Sequence, residues 1–333
     1  MSDPLAVDIH THVVPGEFPP YLGKRLNVPW PSMAPAQPCH CHVMISGKVY
    51  RTVHQSCWRT EDRTADMDTH AIGVQCLSPM PELLSYWLPA DDAQVLIRYI
   101  NDQIAGMVAR GNGRFIGLGG VPLQDVDLAI RELEYLMNDL KFAGVEIATH
   151  IDGVPIGDAR LDPFFAACER LGAAVFVHAL HPAGADRIVG PVAEQAVAFP
   201  GEVALGIASM ITGGMAERHP KLRIAFSHGG GGFAVLLPRL AHAWNIQPKF
   251  KESLPQDPTV YAKRFFYDTV VFDPALLRHV VATYGRTQVC AGSDYPFAMG
   301  DLDPVKTIRA AGLDDETRGM LLAGNALRFL GRA

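Results

Sequence analysis

The feature that most constrains the fold is an alternation, repeated along the chain, of short apolar runs with longer segments of helical periodicity. The apolar runs are predicted strands, and eight can be counted, at 4–12, 72–79, 115–121, 145–149, 173–177, 222–227, 265–271 and 288–292. Helices are predicted between most of them, at 61–70, 93–110, 126–140, 161–171, a longer region ending at 215, 233–245, 274–284 and 303–330.

Strands that are apolar on both faces and alternate with helices are typical of a parallel sheet covered on both sides. Eight such units in 333 residues predict an α/β fold, a (β/α)8 TIM barrel. A doubly wound open sheet is the alternative. We expect 1–333 to form one barrel domain.

Residues with metal-binding side chains follow four of these strands. His10 and His12 lie two positions apart at the end of the first strand, so both side chains point to one face. His178, His228 and Asp294 follow the fifth, sixth and eighth strands. Because the carboxyl ends of barrel strands surround the active site, we expect these side chains to meet there. Imidazole and carboxylate ligands suit Zn²⁺, although any one of these histidines alone is more typical of a hydrogen-bonded core residue.

The segment 13–60 interrupts the alternation and is predicted to be an insertion that caps the site. Its many prolines exclude regular helix over most of its length. A β-hairpin is predicted from 40–45 and 48–53, joined by Ser46 and Gly47. Cys39–His42 has the composition of a zinc site, but alternation in a strand separates its cysteines from its histidines, so we favour an ordinary strand.

Composition excludes some classes of partner. The net charge of −6 gives no basic surface for nucleic acid, and no Lys/Arg cluster indicates a membrane surface. No run of about 18 apolar residues predicts a membrane span, and no secretion signal is recognised. We therefore expect a cytoplasmic protein without nucleic acid or membrane partners. Its six scattered cysteines are expected to be reduced thiols. The glycines at 229–232 lack dinucleotide-binding spacing and predict a tight turn.

Together with the strand-end residues, several longer motifs carry a family resemblance: 47–51 (GKVYR), 57–58 through 86–87, 227–231 (SHGGG), 293–297 (SDYPF) and 323–326 (AGNA). The chain resembles the amidohydrolase superfamily and, within it, the 2-amino-3-carboxymuconate-6-semialdehyde decarboxylase family. The resemblance covers nearly the whole chain and implies a metal-dependent barrel that releases CO₂ without oxidation and without an organic cofactor.

The resemblance also assigns roles around the metal. Some superfamily members hold two metals through a lysine on strand four, but 145–150 contains none. It therefore implies one divalent ion, most consistent with Zn²⁺ and with Mn²⁺ or Fe²⁺ as alternatives. The implied ligands are His10, His12, His178 and Asp294. His228 is then the implied general base toward a water at the metal, and a direct ligand role for His228 is the alternative.

Substrate contacts are implied as well. Arg51 and Arg239 are expected to bind substrate carboxylates, which the planar guanidinium suits, and Arg239 is expected to reach the site of a second subunit in a homodimer. Lys48 is expected near the metal. Phe297 is expected to line the pocket. Trp58, Tyr86 and Met299 are further candidates, although aromatic residues are equally typical of a core, and either arginine alone is more typical of a surface.

The implied function is decarboxylation of 2-amino-3-carboxymuconate 6-semialdehyde or a related small carboxylate. A hydroxybenzoate-type decarboxylase, a hydrolase or lactonase, and a catalytically silent binding protein are alternatives. After His178 the family typically continues Pro-Trp, whereas this chain has Ala179, Leu180 and His181. We expect this loop to reshape the substrate pocket and His181 to serve only as a loop residue. A new polar contact from His181 is the alternative.

Overall fold

The computed structural model describes residues 5–332, and eight of its strands form one parallel sheet in sequence order. These strands are β1 Ala6–Val13, β2 Ile72–Pro79, β3 Phe115–Gly119, β4 Gly144–Ala148, β5 Ala174–His178, β6 Arg223–Phe226, β7 Phe266–Asp268 and β8 Val289–Cys290.

The last strand segment returns to the first. The backbone N–H of Ile9 donates to the carbonyl of Ala291 at 3.0 Å, and that of His12 donates to the carbonyl of Tyr295 at 2.7 Å. These bonds close the sheet into a barrel, so the (β/α)8 prediction is confirmed and the open-sheet alternative is wrong. All strands run in parallel, so their carboxyl ends meet at one rim.

The longer helices that surround the barrel pack on it through apolar stripes. In the longest, Ala90–Arg110, the side chains of Leu96, Ile100 and Ile104 are buried at helical spacing. The α-helices in residues 5–332 are Thr60–Thr69, Ala90–Arg110, Val126–Asn138, Asp162–Leu171, Phe199–Thr212, Met215–Arg218, Phe233–Ile246, Pro248–Ser253, Pro258–Ala262, Pro274–Tyr284, Pro304–Ala310, Asp315–Gly319 and Asn325–Phe329.

One stretch among the described residues, Glu194–Thr212, is long and apolar enough to cross a membrane by length and composition alone. Within it, Val203, Ile207 and Ile211 are completely buried in the protein. A helix that covers a barrel requires the same apolar stripe, so its composition is accounted for by packing.

The insertion contains the predicted hairpin, His40–Ile45 with Lys48–His54. Its two turn residues, Ser46 and Gly47, both have positive φ, as a tight hairpin turn requires. The sequence did not predict the third strand, Pro31–Pro35, which pairs antiparallel with the hairpin. Proline lacks a backbone donor, and this strand tolerates it because it lies at the edge of the sheet.

The cysteines are free thiols, as predicted. All six are free, and four of them are buried: Cys57, Cys76, Cys168 and Cys290. Within the described part of the chain, no group of potential metal ligands includes Cys39 or Cys41.

Candidate active site

Four side chains converge at the carboxyl rim of the barrel. His10 and His12 come from β1, His178 ends β5 and Asp294 follows β8. Their ligand atoms all lie within 4.8 Å of one another. Each residue is at most 8% exposed. The fold therefore brings together the four residues that the sequence suggested as metal ligands.

Hydrogen bonds at the far side of each imidazole decide which nitrogen is available. The Nδ1 atoms of His10, His12 and His178 lie 2.6, 3.1 and 2.7 Å from Asp268 Oδ2, the Pro79 carbonyl and the Ala179 carbonyl, respectively. Carbonyl and carboxylate oxygens only accept, so each Nδ1 carries a hydrogen and each Nε2 is the nitrogen that can bind a metal ion.

The Nε2 nitrogens of the three histidines face one another. The Nε2 atoms of His10 and His12 are 3.1 Å apart, and Asp294 Oδ1 lies 3.0 Å from that of His12. His178 Nε2 is buried without a hydrogen-bond partner. Such crowding of acceptors is stabilised by a cation, and three nitrogens with one carboxylate suit a divalent transition metal.

The electrostatics of the centre agree with that chemistry. Burial lowers the pKa of His12 to about 4. Burial and the neighbouring His228 hold the pKa of His178 well below its usual value. For His10, burial also acts to lower the pKa, but the Asp294 and Asp268 carboxylates outweigh it and raise the pKa to about 10. Without a metal, the carboxylates thus favour a second proton on His10, at Nε2, and a cation bound there would take the place of that proton.

Asp268, at the end of β7, is a functional residue that the sequence reasoning missed. Its Oδ2 accepts from His10 Nδ1 at 2.6 Å and from the backbone N–H of His228 at 3.0 Å. Its Oδ1 accepts from the backbone N–H of Gly229 at 2.7 Å. One carboxylate therefore orients a metal ligand and the His228 turn together. The available signal was an acidic residue inside an apolar barrel strand.

Two further buried charges brace β1. Asp8 Oδ1 accepts from the backbone N–H groups of His10 and Ser293, each at 3.1 Å, and burial raises the pKa of Asp8 to about 6. The completely buried Arg63 donates to the His12 carbonyl at 2.6 Å. These contacts hold the first strand against the last and fix the direction of both histidines.

His228 lies beside the four ligands. Its Nε2 is 3.9 Å from Asp294 Oδ2, and its Nδ1 is buried without a partner. Its φ is +55°, a left-handed conformation that is unfavourable for a residue with a Cβ and concentrates at functional sites. The turn is tight as predicted, since a Cβ on Gly231 would lie 1.9 Å from the Pro200 carbonyl oxygen.

A cavity of about 690 Å³ opens above this centre. Its polar floor includes His178, His228 and Asp294. Much of its remaining wall is apolar, formed by Val192, Ala196, Phe199, Pro200, Ala234, Val235, Val270, Val271, Phe272, Leu276, Val280 and Met299. An apolar cavity with a few convergent polar groups is typical of a small-molecule site.

Arg51 and Phe297, both predicted at the pocket, line this cavity. The Arg51 guanidinium carbon lies 4.5 Å from the centroid of the Phe297 ring. The same ring stacks against His12, with centroids 5.2 Å apart and planes 21° apart. Phe297 therefore links the guanidinium of the inserted hairpin to a metal ligand of the barrel.

The other suggested pocket residues lie in different places. Met299 lines the cavity, whereas Trp58 and Tyr86 are not among its lining residues. Lys48 and Arg239 are exposed and lie outside the lining of this chain's cavity.

The loop after β5 contributes a polar contact at the rim. His181 Nε2 lies 3.1 Å from Glu82 Oε2, and the His181 ring stacks on Trp87 with centroids 4.9 Å apart. Glu82 is 7% exposed and lines the cavity. Of the two readings left open for His181, the structure favours the polar contact.

A second buried carboxyl, Glu146 on β4, also escaped the sequence reasoning. Both of its oxygens are buried without a hydrogen-bond partner, and Oε2 lies 3.7 Å from His12 Nδ1. Burial raises the pKa of Glu146 to about 8. The burial of this side chain therefore favours its neutral form.

Comparison with known proteins agrees with this geometry. The family model described as amidohydrolase matches residues 7–332. A 2-amino-3-carboxymuconate-6-semialdehyde decarboxylase of Dictyostelium discoideum is 36% identical over 98% of this chain and 92% of the relative. The crystal structure of 5-carboxyvanillate decarboxylase from Sphingomonas paucimobilis is 27% identical, with a TM-score of 0.72 over 82% of this chain and 83% of that one. For the fold alone, IDCase of Metarhizium anisopliae superimposes with a TM-score of 0.84 at 21% identity, over 99% of this chain and 97% of that one.

Proposed function

The chain belongs to the amidohydrolase family and is a metal-dependent decarboxylase, and from this premise we propose that it decarboxylates 2-amino-3-carboxymuconate 6-semialdehyde or a closely related carboxylated catabolite. The observation that carries the proposal is the chain of contacts from His12 through Phe297 to Arg51. These contacts set a guanidinium, a group suited to binding a carboxylate, beside the metal centre. The name of the Dictyostelium discoideum relative gives this compound as its substrate.

The metal would be held by His10, His12, His178 and Asp294. When bound, the ion supplies Lewis acidity, which activates water and stabilises negative charge. We propose Zn²⁺ as the bound ion. Mn²⁺ and Fe²⁺ are the alternatives, because nitrogen and oxygen ligands accept all three ions. Metal analysis of the purified protein, followed by reconstitution with each ion, distinguishes them.

His228 would transfer the proton that the reaction requires. Decarboxylation replaces a carboxylate on carbon with hydrogen, so the site must deliver one proton to that carbon as CO₂ leaves. The His228 imidazole forms part of the cavity floor and can take a proton from water and pass it on. Asp268 would hold the imidazole in place through the His228 backbone N–H.

Arg51 would bind a substrate carboxylate through its planar fork. Its contact with the Phe297 ring limits the directions that the guanidinium can take. We propose that Arg239 completes this carboxylate site from a second subunit of a homodimer, and that Lys48 approaches the metal when substrate is bound. Their exposure in the single chain leaves both side chains free to do so. The cytoplasmic location and the single-domain organisation stay predictions.

A hydroxybenzoate-type acid is the second candidate substrate. The likeness to 5-carboxyvanillate decarboxylase supports it, as does the largely apolar wall of the cavity, which suits a planar ring. A hydrolase or lactonase reaction would use the same metal and water but would release no CO₂.

The test is the decay of freshly generated 2-amino-3-carboxymuconate 6-semialdehyde with the metal-loaded protein, with CO₂ trapped. We expect decay far above the spontaneous rate with one CO₂ per substrate, and its loss in His228→Ala. His279→Ala, which alters an exposed histidine outside the cavity lining, is the matched control. CO₂ release from 5-carboxyvanillate alone would move the assignment to aromatic acids, and ester or lactone cleavage without CO₂ would contradict it.

A further inference from the structure

Glu82 is a buried carboxylate in a cavity that otherwise favours anions. It lies in the short helical turn Pro81–Leu84, directly after β2, and is 7% exposed. We propose that Glu82, positioned by His181, binds a hydrogen-bond donor of the substrate, an amino or hydroxyl group, and thereby determines specificity. This inference rests on the proposed function and names the substrate class that it requires.

The contacts of Glu82 fix the direction of its carboxylate. Its Oε2 and Oε1 lie 3.1 and 3.4 Å from His181 Nε2. Trp87 stacks on the His181 ring, with planes 28° apart, and limits its rotation. The hydrogen bond to Glu82 raises the pKa of His181, which favours an ionised pair. An ionised carboxylate accepts hydrogen bonds but donates none.

The pair also joins two separate parts of the rim. Glu82 follows β2, whereas His181 lies in the loop after β5, and His150 Nε2 lies 3.2 Å from the His181 carbonyl. This is the loop in which the chain departs from the family's usual Pro-Trp sequence. The departure thus supplies the histidine that contacts Glu82, where the family typically has Pro-Trp.

The Glu82 carboxylate has lone pairs left that can accept a hydrogen bond from a ligand. A carboxylate offers about four lone-pair positions, and the His181 ring nitrogen and the hydroxyl of Tyr50, which also lines the cavity, use only part of them. Because burying a carboxylate with unmet capacity is unfavourable, a donor from the cavity side is favoured there, and a second carboxylate is repelled. With Arg51 on the hairpin and Glu82 after β2, the cavity is complementary to a molecule that carries both a carboxylate and a neighbouring donor.

Dicarboxylate probes test this by binding, with CO₂ trapped in each titration so that a probe that turns over is recognised. Isophthalate carries two carboxylates and no donor, whereas 2-aminoisophthalate and 2-hydroxyisophthalate each add one donor. Dissociation constants are measured by calorimetry with the Zn²⁺-loaded enzyme. We expect wild type to bind at least one donor compound about tenfold more tightly than isophthalate, as one hydrogen bond to a charged group predicts. Comparison of 2-aminoisophthalate with 2-hydroxyisophthalate shows which of the two donors binds more tightly.

Glu82→Gln should remove that preference. The donor compound is expected to bind about tenfold more weakly, while isophthalate binds equally or more tightly because a like charge has been removed. His181→Gln keeps the carboxylate but loses its positioning, so a smaller loss of about threefold is expected. Glu194→Gln is the matched control, because Glu194 is an exposed carboxylate near His181 that does not line the cavity.

The outcomes separate this inference from the proposed function. Equal affinities in wild type, absent binding of all three probes, or an equal loss for all three in Glu82→Gln would overturn the role of Glu82, whichever substrate is turned over. A lost preference in an enzyme that does not consume the semialdehyde would sustain Glu82 while overturning the proposed substrate. Thermal melting of each variant shows whether the chain is folded.

Discussion

The two ends of the cavity are built differently. At the metal end, His10, His12 and His178 are each held by a hydrogen bond from the far ring nitrogen, and all three are at most 3% exposed. At the outer end, Arg51 comes from the inserted hairpin, and the His181 side chain is 53% exposed.

The difference separates chemistry from selectivity. Barrel strands position side chains accurately because their register is set by backbone hydrogen bonds and their faces are buried. Loops and insertions can change without unfolding the barrel, so they are where substrate contacts vary. Changes at the metal end should therefore reduce turnover of every substrate, and changes at the outer end should shift the preference among substrates.

The largest effect is expected from loss of the metal. Chelation should reduce the rate at least about a thousandfold, since a metal supplies several kcal/mol of charge stabilisation. Adding Zn²⁺, Mn²⁺ or Fe²⁺ back should restore wild type, whereas His178→Ala, which lacks one ligand, should stay inactive. Metal content and CO₂ release are measured together. Full activity in the chelated, metal-free protein would contradict the assignment.

His228→Asn should lower kcat by about 10²- to 10⁴-fold, the usual contribution of a positioned acid or base. Because His228 lies outside the four-residue ligand group, metal content should stay unchanged. Loss of the metal in this variant would instead make His228 a ligand.

Asp268→Asn should weaken metal affinity or activity by about 10- to 100-fold, because the amide no longer fixes His10 in the required tautomer. A metal titration with activity readout measures both. If the variant binds metal and turns over substrate like wild type, Asp268 is not needed to position His10.

Arg51→Lys tests the outer end. Lysine keeps the charge but loses the planar fork, so KM for a carboxylate substrate should rise about tenfold, as loss of one charge-assisted hydrogen bond predicts. The change in kcat should be smaller. A fall in kcat with unchanged KM would place Arg51 in the chemistry and break the separation between the two ends.

The smallest effect concerns pH. The Glu82 hydrogen bond raises the pKa of His181 above its usual value of about 6.5. The pair therefore stabilises the fold fully below about pH 6.5 and loses its contribution as pH rises through the raised pKa. Because His181 is half exposed, we expect only a few tenths of a kcal/mol. NMR titration of His181 should show its pKa falling in Glu82→Gln, and no change would contradict the pairing.

The periodicity of apolar residues predicted the barrel, because it indicates which faces of the strands and helices are buried. The hairpin was predictable because Ser46–Gly47 marks a tight turn. The edge strand Pro31–Pro35 was not, because its prolines argue against pairing, and only its place at the sheet edge makes them harmless.

By itself, the sequence determined the chemistry of the metal end. Spacing two residues apart sets His10 and His12 on one face, and the strand ends carry His178 and Asp294 to the same rim. These are consequences of local geometry and strand order.

Only the tertiary structure decided what acts on those groups. Asp268 lies more than two hundred residues from His10 in the chain, yet orients it at 2.6 Å. Glu82 and His181 meet across the rim from loops that are 99 residues apart. Such partners carry no periodic signal, since a buried charge is tolerated only where the closed barrel brings its counterpart within hydrogen-bond distance.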